Sequence, residues 1–71
     1  MPDREDFKTK IVQTADEIMG LLESRNDISS WFIKTELKLS GSQLYLALGY
    51  LLNENKITIT PDELNYKITK I

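Results

Sequence analysis

Seventy-one residues carry nine lysines and arginines against eleven aspartates and glutamates, a formal charge of −2 at pH 7, with neither cysteine nor histidine. A chain of this length holds one core, so a single domain over residues 1–71 is expected. The missing residue types exclude disulfides, thiol catalysis and the usual zinc-ligand sets and suit a reducing cytoplasmic compartment, while the acidic balance is a poor electrostatic start for binding a polyanion.

The start, MPDREDFKTK, is polar and rich in charge of both signs and lacks the apolar core of a signal peptide. No apolar run reaches the ~20 residues that cross a bilayer, so a soluble protein with no membrane partner is expected. Phe7, Ile11, Ala15, Ile18 and Leu22, joined by Val12 and Met19, form the stripe of an amphipathic helix over residues 4–23. Asp3 is its expected N-cap, Glu5 and Asp6 suit the positive end of the helix dipole, and Ser24-Arg25-Asn26-Asp27 is turn chemistry. Gly20 costs such a helix about 1 kcal/mol relative to alanine, which predicts that another element packs closely there.

Ile28-Ser29 is too short for a strand of its own but can add a rung to a sheet. Ser30 is the expected cap of a second, short helix over 31–38, which turns Phe32, Ile33 and Leu37 inward and sends Lys34 and Lys38 to one exposed edge. Ser40-Gly41-Ser42-Gln43 has the S-x-x-Q form of a capping box, in which the serine accepts from the third amide and the glutamine reaches back to the cap. A third helix runs from there to about residue 54, and its stretch from Leu44 to Leu52 carries no charged side chain. Asn55-Lys56 breaks it, and the apolar period switches to 2. Ile57-Thr58-Ile59-Thr60 and Leu64-Asn65-Tyr66-Lys67-Ile68-Thr69 predict two half-buried strands joined by a Pro61-Asp62-Glu63 turn. There is no repeat, linker or low-complexity segment.

The order α-β-α-α-β-β is that of an α+β winged helix-turn-helix, with three helices and a C-terminal two-stranded hairpin as the wing. A three-helix bundle with a loose tail leaves the isoleucine and threonine alternation without purpose. A helical hairpin plus a ribbon leaves the capping box at Ser40 without a tight bend to make.

LYLALGYLLNENKITI resembles the A-[LI]-G-[WY]-L-x-x-E-[NG]-K-I signature of a family of small, stand-alone winged helix-turn-helix proteins of bacteria and archaea. Ala47, Leu48, Gly49, Tyr50, Leu51, Glu54, Asn55, Lys56 and Ile57 stand at the matching positions. The resemblance implies the fold and a nucleic-acid-binding, transcription-associated role, including as a dimer, and brings no reaction or cofactor with it.

An enzyme is not expected. The acidic pairs Asp16-Glu17 and Asp62-Glu63 point apart on a helix or sit in a turn, and Gly41 and Gly49 do not make a phosphate-cradling loop. Gly49 is instead expected to let another backbone approach. No metal, cofactor or small-molecule substrate is implied. Two binding readings remain. Double-stranded DNA would meet the third helix, with Ser42 and Gln43 at base edges and Lys34, Lys38, Lys56 and Lys67 on phosphates. Against it stand a third helix free of lysine and arginine, an acidic wing turn and the acidic chain as a whole. A protein partner or a second copy would meet Leu46, Tyr50 and Asn53. At about 100° per residue, these fall opposite a core face of Leu44, Ala47, Leu48, Leu51 and Leu52, with Tyr45 at its edge. Trp31 is expected to anchor the core, and Tyr66 to face the core side of the wing.

Overall fold

The computed structural model describes residues 3–71, with side chains from Phe7 onward. Three helices, α1 (Asp3–Ser24), α2 (Ser30–Glu36) and α3 (Gly41–Asn53), enclose a core with three strands, β1 (Asp27–Ser29), β2 (Ile57–Asp62) and β3 (Asn65–Lys70). The sheet is antiparallel in the order β1-β3-β2, so the chain's last strand is its central one. The capping role expected of Asp3 lies outside the described side chains, as do the dipole roles of Glu5 and Asp6.

Register explains why so short a β1 belongs to the sheet. Ile28 pairs with Ile68 and Ile59 pairs with the same Ile68, which places three isoleucines in one row across three strands. Ile28 and Ile68 are buried and Ile59 half-buried. Against that row pack Ala15, Ile18 and Leu22 of α1, Ile33 of α2 and Leu44, Ala47, Leu48 and Leu51 of α3, with Ile57 closing the side near the start of the wing. Each fully buried leucine or isoleucine contributes about 1.5–3 kcal/mol relative to exposure. Thr14, buried in α1, donates its hydroxyl to the Lys10 carbonyl at 2.8 Å and accepts from the Gln43 side chain at 2.9 Å, so no hydroxyl is stranded in the core.

The helix ends follow local chemistry closely. Ser40 Oγ accepts from the Gln43 amide at 3.1 Å, which is half of the expected capping box. The other half is absent because the Gln43 amide reaches across to Thr14 instead of back to its own cap. At the far end Asn55 adopts the left-handed conformation with φ of 61°. The Lys56 amide bonds the Leu51 carbonyl and the Asn55 amide the Leu52 carbonyl, both at 3.0 Å. That is the paired closure of a Schellman motif, with asparagine supplying the left-handed residue. Lys38, at φ of 55°, makes the equivalent stop after α2, where the Leu39 amide reaches the Lys34 carbonyl at 2.9 Å. The helix therefore ends at Glu36, earlier than 38, and residues 37–40 form the turn of the helix-turn-helix.

Several expectations need correction. The cap of α2 is Ser29, whose hydroxyl accepts from the Phe32 amide at 3.0 Å. Ser30 lies within the helix, buried, and accepts from the Tyr66 amide at 3.2 Å, tying α2 to β3. Trp31 is no core anchor, being 60% exposed. It stands about 200° round the helix from buried Ile33. Phe32, the half-buried aromatic of α2, packs against the core and lies 4.9 Å beneath the Arg25 guanidinium. Leu52 is exposed, because its direction on α3 is a quarter turn from the buried face. The wing turn has slid toward the C-terminus. Pro61 and Asp62 continue β2 opposite Tyr66 and Asn65, and Glu63-Leu64 make the two-residue loop, with Glu63 at φ of 48°. Proline is tolerated because β2 is an edge strand and needs no outward ladder donor there. Neither Gly20 nor Gly49 admits a neighbour, since a Cβ built on either would meet nothing within 4 Å.

Two stability outcomes follow from these corrections. Ile33→Ala is expected to lower the unfolding free energy by about 2–5 kcal/mol, whereas Trp31→Ala costs less than about 1 kcal/mol, both read by urea denaturation. Gly20→Ala, in open space on a helix, is expected to raise it by roughly 0.5–1 kcal/mol in the same assay. A loss there would mean that the glycine is structurally required.

Candidate recognition surface

The helix-turn-helix places α3 across the core with its outer side free. The sequence GSQLYLALGYLLN contains no charged residue, so α3 offers neither a cation nor an anion along its whole length. Leu46, Tyr50 and Asn53 are exposed on the outer face as the helical spacing predicts, with Leu46 at 49% and Tyr50 at 37%. Ser42 is exposed in the first turn. Gln43 is half-buried, and its side-chain nitrogen is already engaged by Thr14.

The lysines do not gather into one group. Lys34 and Lys38 are exposed at α2 and the turn after it, and Lys56 is exposed just beyond α3. Among the described residues none of the three takes part in an ion pair. Strand alternation puts Lys67 on the sheet face opposite Tyr66 and Ile68, where its ammonium lies 3.7 Å from an Asp27 carboxylate oxygen. That face turns away from α3. Lys70 reaches back over the sheet to Glu23 at 3.4 Å and fastens the C-terminal strand to α1. Both pairs are exposed enough that solvent leaves them little worth in stability.

Sequence reasoning missed the most developed feature of this side. Tyr45 of α3 and Tyr66 of β3 meet edge to face, with ring centroids 6.1 Å apart and planes at 81°. With Leu48 and Ile59 they line a cleft of about 440 Å³ between α3 and the wing. A second depression of about 190 Å³ shares Tyr45 and is bordered by Trp31, Lys34, Gly41, Leu44 and Asn65. Leu64, at the wing tip, is 94% exposed. Two signals were available: Tyr45 and Leu52 are seven residues apart and so project from the same side of α3, and the alternation of β3 directs Tyr66 to that side. Among the described residues no group of three or more acidic side chains is placed to hold a metal ion, and no helix is long and apolar enough to cross a membrane.

A helix-turn-helix whose exposed third helix is flanked by a β-hairpin is the winged helix-turn-helix arrangement. Residues 6–70 match a family described as winged helix-turn-helix domain (DUF2582), and the chain belongs to that family. No curated protein and no solved structure matches the chain.

The Thr14–Gln43 bond is the tie between α1 and the first turn of α3, and a double-mutant cycle isolates it. Thr14→Val and Gln43→Ala are each expected to destabilise by roughly 1 kcal/mol, with a coupling of about 0.5–1.5 kcal/mol. Additive losses in urea denaturation would show that Gln43 stands free of α1 in solution.

Proposed function

We propose that this winged helix-turn-helix domain is a non-enzymatic binding module whose recognition surface, the exposed side of α3 with the adjoining wing, contacts protein. One observation carries this reading: an uncharged α3 exposes four large apolar or aromatic side chains, Tyr45 and Leu52 toward the wing and Leu46 and Tyr50 on its outer face. Apolar and aromatic side chains gain free energy by leaving water against another apolar surface, and a phosphate backbone offers them little. Asp62 and Glu63 at the end of the wing add negative charge where a duplex would need cations.

Duplex DNA is the second reading, favoured by family membership and by Lys34, Lys38 and Lys56, which are exposed and outside the ion pairs among the described residues. In that reading Ser42 reaches base edges and Gln43 must leave Thr14 to join it, while Lys67, beside Asp27 on the sheet face turned away from α3, takes no part. Its affinity would rest on about three phosphate contacts per chain, giving a slope near −3 in log affinity against log salt. Titration of a labelled mixed-sequence duplex from low to physiological salt separates the two. The protein-contact reading predicts no saturable binding at low salt. Saturable binding with a slope near −3, lost in a Lys34→Ala/Lys38→Ala/Lys56→Ala variant, would establish the DNA reading instead.

A further inference from the structure

We propose that the depression where α2 meets the starts of α3 and β3 receives one large apolar side chain of a partner protein, whose neighbouring carboxylates engage Lys34 and Lys38. This rests on the protein-contact reading and gives that partner a chemistry: an apolar residue set among acidic ones.

The first observation is a pair of aromatic walls. Trp31 of α2 and Tyr45 of α3 border the depression together with Leu44 and Asn65. Leu44 is buried, whereas Trp31 and Tyr45 keep half or more of their surface in water. Two such aromatics beside a recess gain most when another apolar surface covers them. Gly41 also borders the recess and adds no side chain to fill it, and a Cβ there would meet nothing within 4 Å. The volume of about 190 Å³ falls below the ~300 Å³ at which pockets begin to enclose whole small molecules. A single side chain is what it holds.

The second observation is charge. Lys34 borders the depression, and Lys38 follows in the turn before α3. Both are exposed, and neither takes part in an ion pair among the described residues. Few carboxylates compete for them. The sequence of α3 has none, and Asp62 borders a different depression with Asp27 and Lys67. Glu36 stands about 160° round α2 from Lys34. The nearest acid along the wing is Glu63, two residues before Asn65. Two lysines against that one carboxylate leave the corner positive.

This charge suits separate carboxylates and not a polyanion. Two lysines are far short of the roughly 6–10 phosphate contacts of a strong nucleic-acid complex, and the uncharged α3 beside them adds none. An apolar anchor flanked by one or two carboxylates needs no more than the corner holds, with the aromatics at its centre and the lysines at its rim.

Trp31 is the chain's one tryptophan, so its fluorescence reports the corner directly. The probe is a synthetic peptide of about ten residues, in which phenylalanine and leucine alternate with aspartate and glutamate. Added to the full chain, it is expected to shift the Trp31 emission to the blue and to saturate with a Kd below about 1 mM. Exchanging its acids for asparagine and glutamine, or its apolar residues for serine, weakens binding about tenfold or more. Polarisation of the labelled peptide reads the protein variants. Trp31→Ala and the double variant Lys34→Glu/Lys38→Glu, all at exposed positions, leave the fold intact by circular dichroism and each weaken binding about tenfold or more. Lys56→Glu, beyond the far end of α3 and about 20 Å off, changes it less than about threefold. No saturable shift up to about 1 mM peptide overturns the inference, as does binding that survives Lys34→Glu/Lys38→Glu or falls equally with Lys56→Glu. Oligothymidylate that shifts the Trp31 emission in the peptide's place assigns the corner to single-stranded nucleic acid and also overturns it. A chain that ignores both peptide and duplex loses this partner chemistry and keeps the protein-contact reading. Duplex binding with a salt slope near about −3 removes that reading beneath it.

Discussion

Seating α3 is the constraint from which the remaining features follow. Leu44, Ala47, Leu48 and Leu51 fill the space between α1 and the sheet, and the core closes around them with Ile18, Leu22, Ile33, Ile57 and Ile68. In a chain of 71 residues, no second hydrophobic cluster among the described residues is available to compensate for a displaced α3. The helix is accordingly fixed at both ends, by the Ser40 cap at its start and the Asn55 left-handed stop at its end. It is also fixed on its flanks, by Gln43 to Thr14 on the α1 side and by Tyr45 against Tyr66 on the wing side. With both ends and the inner face committed, the outer face and the wing-side row are what α3 has left to offer a partner.

That remainder has a definite chemistry. A helix that only closed a core would gain solubility from charged residues on its outer side, as α1 does with Asp16, Glu17 and Lys8. The absence of any such residue from α3 is therefore a property of the surface and not of the packing beneath it. The cations of the chain sit at α2, beyond the end of α3 or on the far face of the sheet, where Lys67 is held near Asp27. Apolar side chains exposed on an uncharged helix, with charge displaced to its margins, are what the proposed protein contact asks for.

Much of the fold was legible because local chemistry and apolar periodicity agreed. The three helices, the short β1 and the hairpin all stand where the sequence places them, within a few residues. Errors arose where two residues competed for one role. Ser29 and Ser30 are both good caps, and the sheet decided between them, since Ser30 is needed by the Tyr66 amide. Pro61 reads as a turn residue, yet an edge strand has no use for its missing amide hydrogen, so the turn could move on to Glu63-Leu64. Trp31 stands at the first turn of α2, where an aromatic is expected to anchor the core, but its angle from Ile33 places it outside. The outer positions of the candidate surface, Leu46 and Tyr50, were readable from α3 alone. For the Tyr45–Tyr66 cleft the sequence gives the direction of each ring but not their meeting, which joins residues 21 positions apart across a hairpin whose turn lies further along the chain than Pro61 suggests.

Amide correlation spectra of the isotopically labelled chain, recorded with and without duplex DNA at low salt, test the central claim at residue level. The account predicts that duplex moves no amide of α3 or the wing. Duplex shifting Lys34, Lys38, Ser42 and Lys56 together would contradict it.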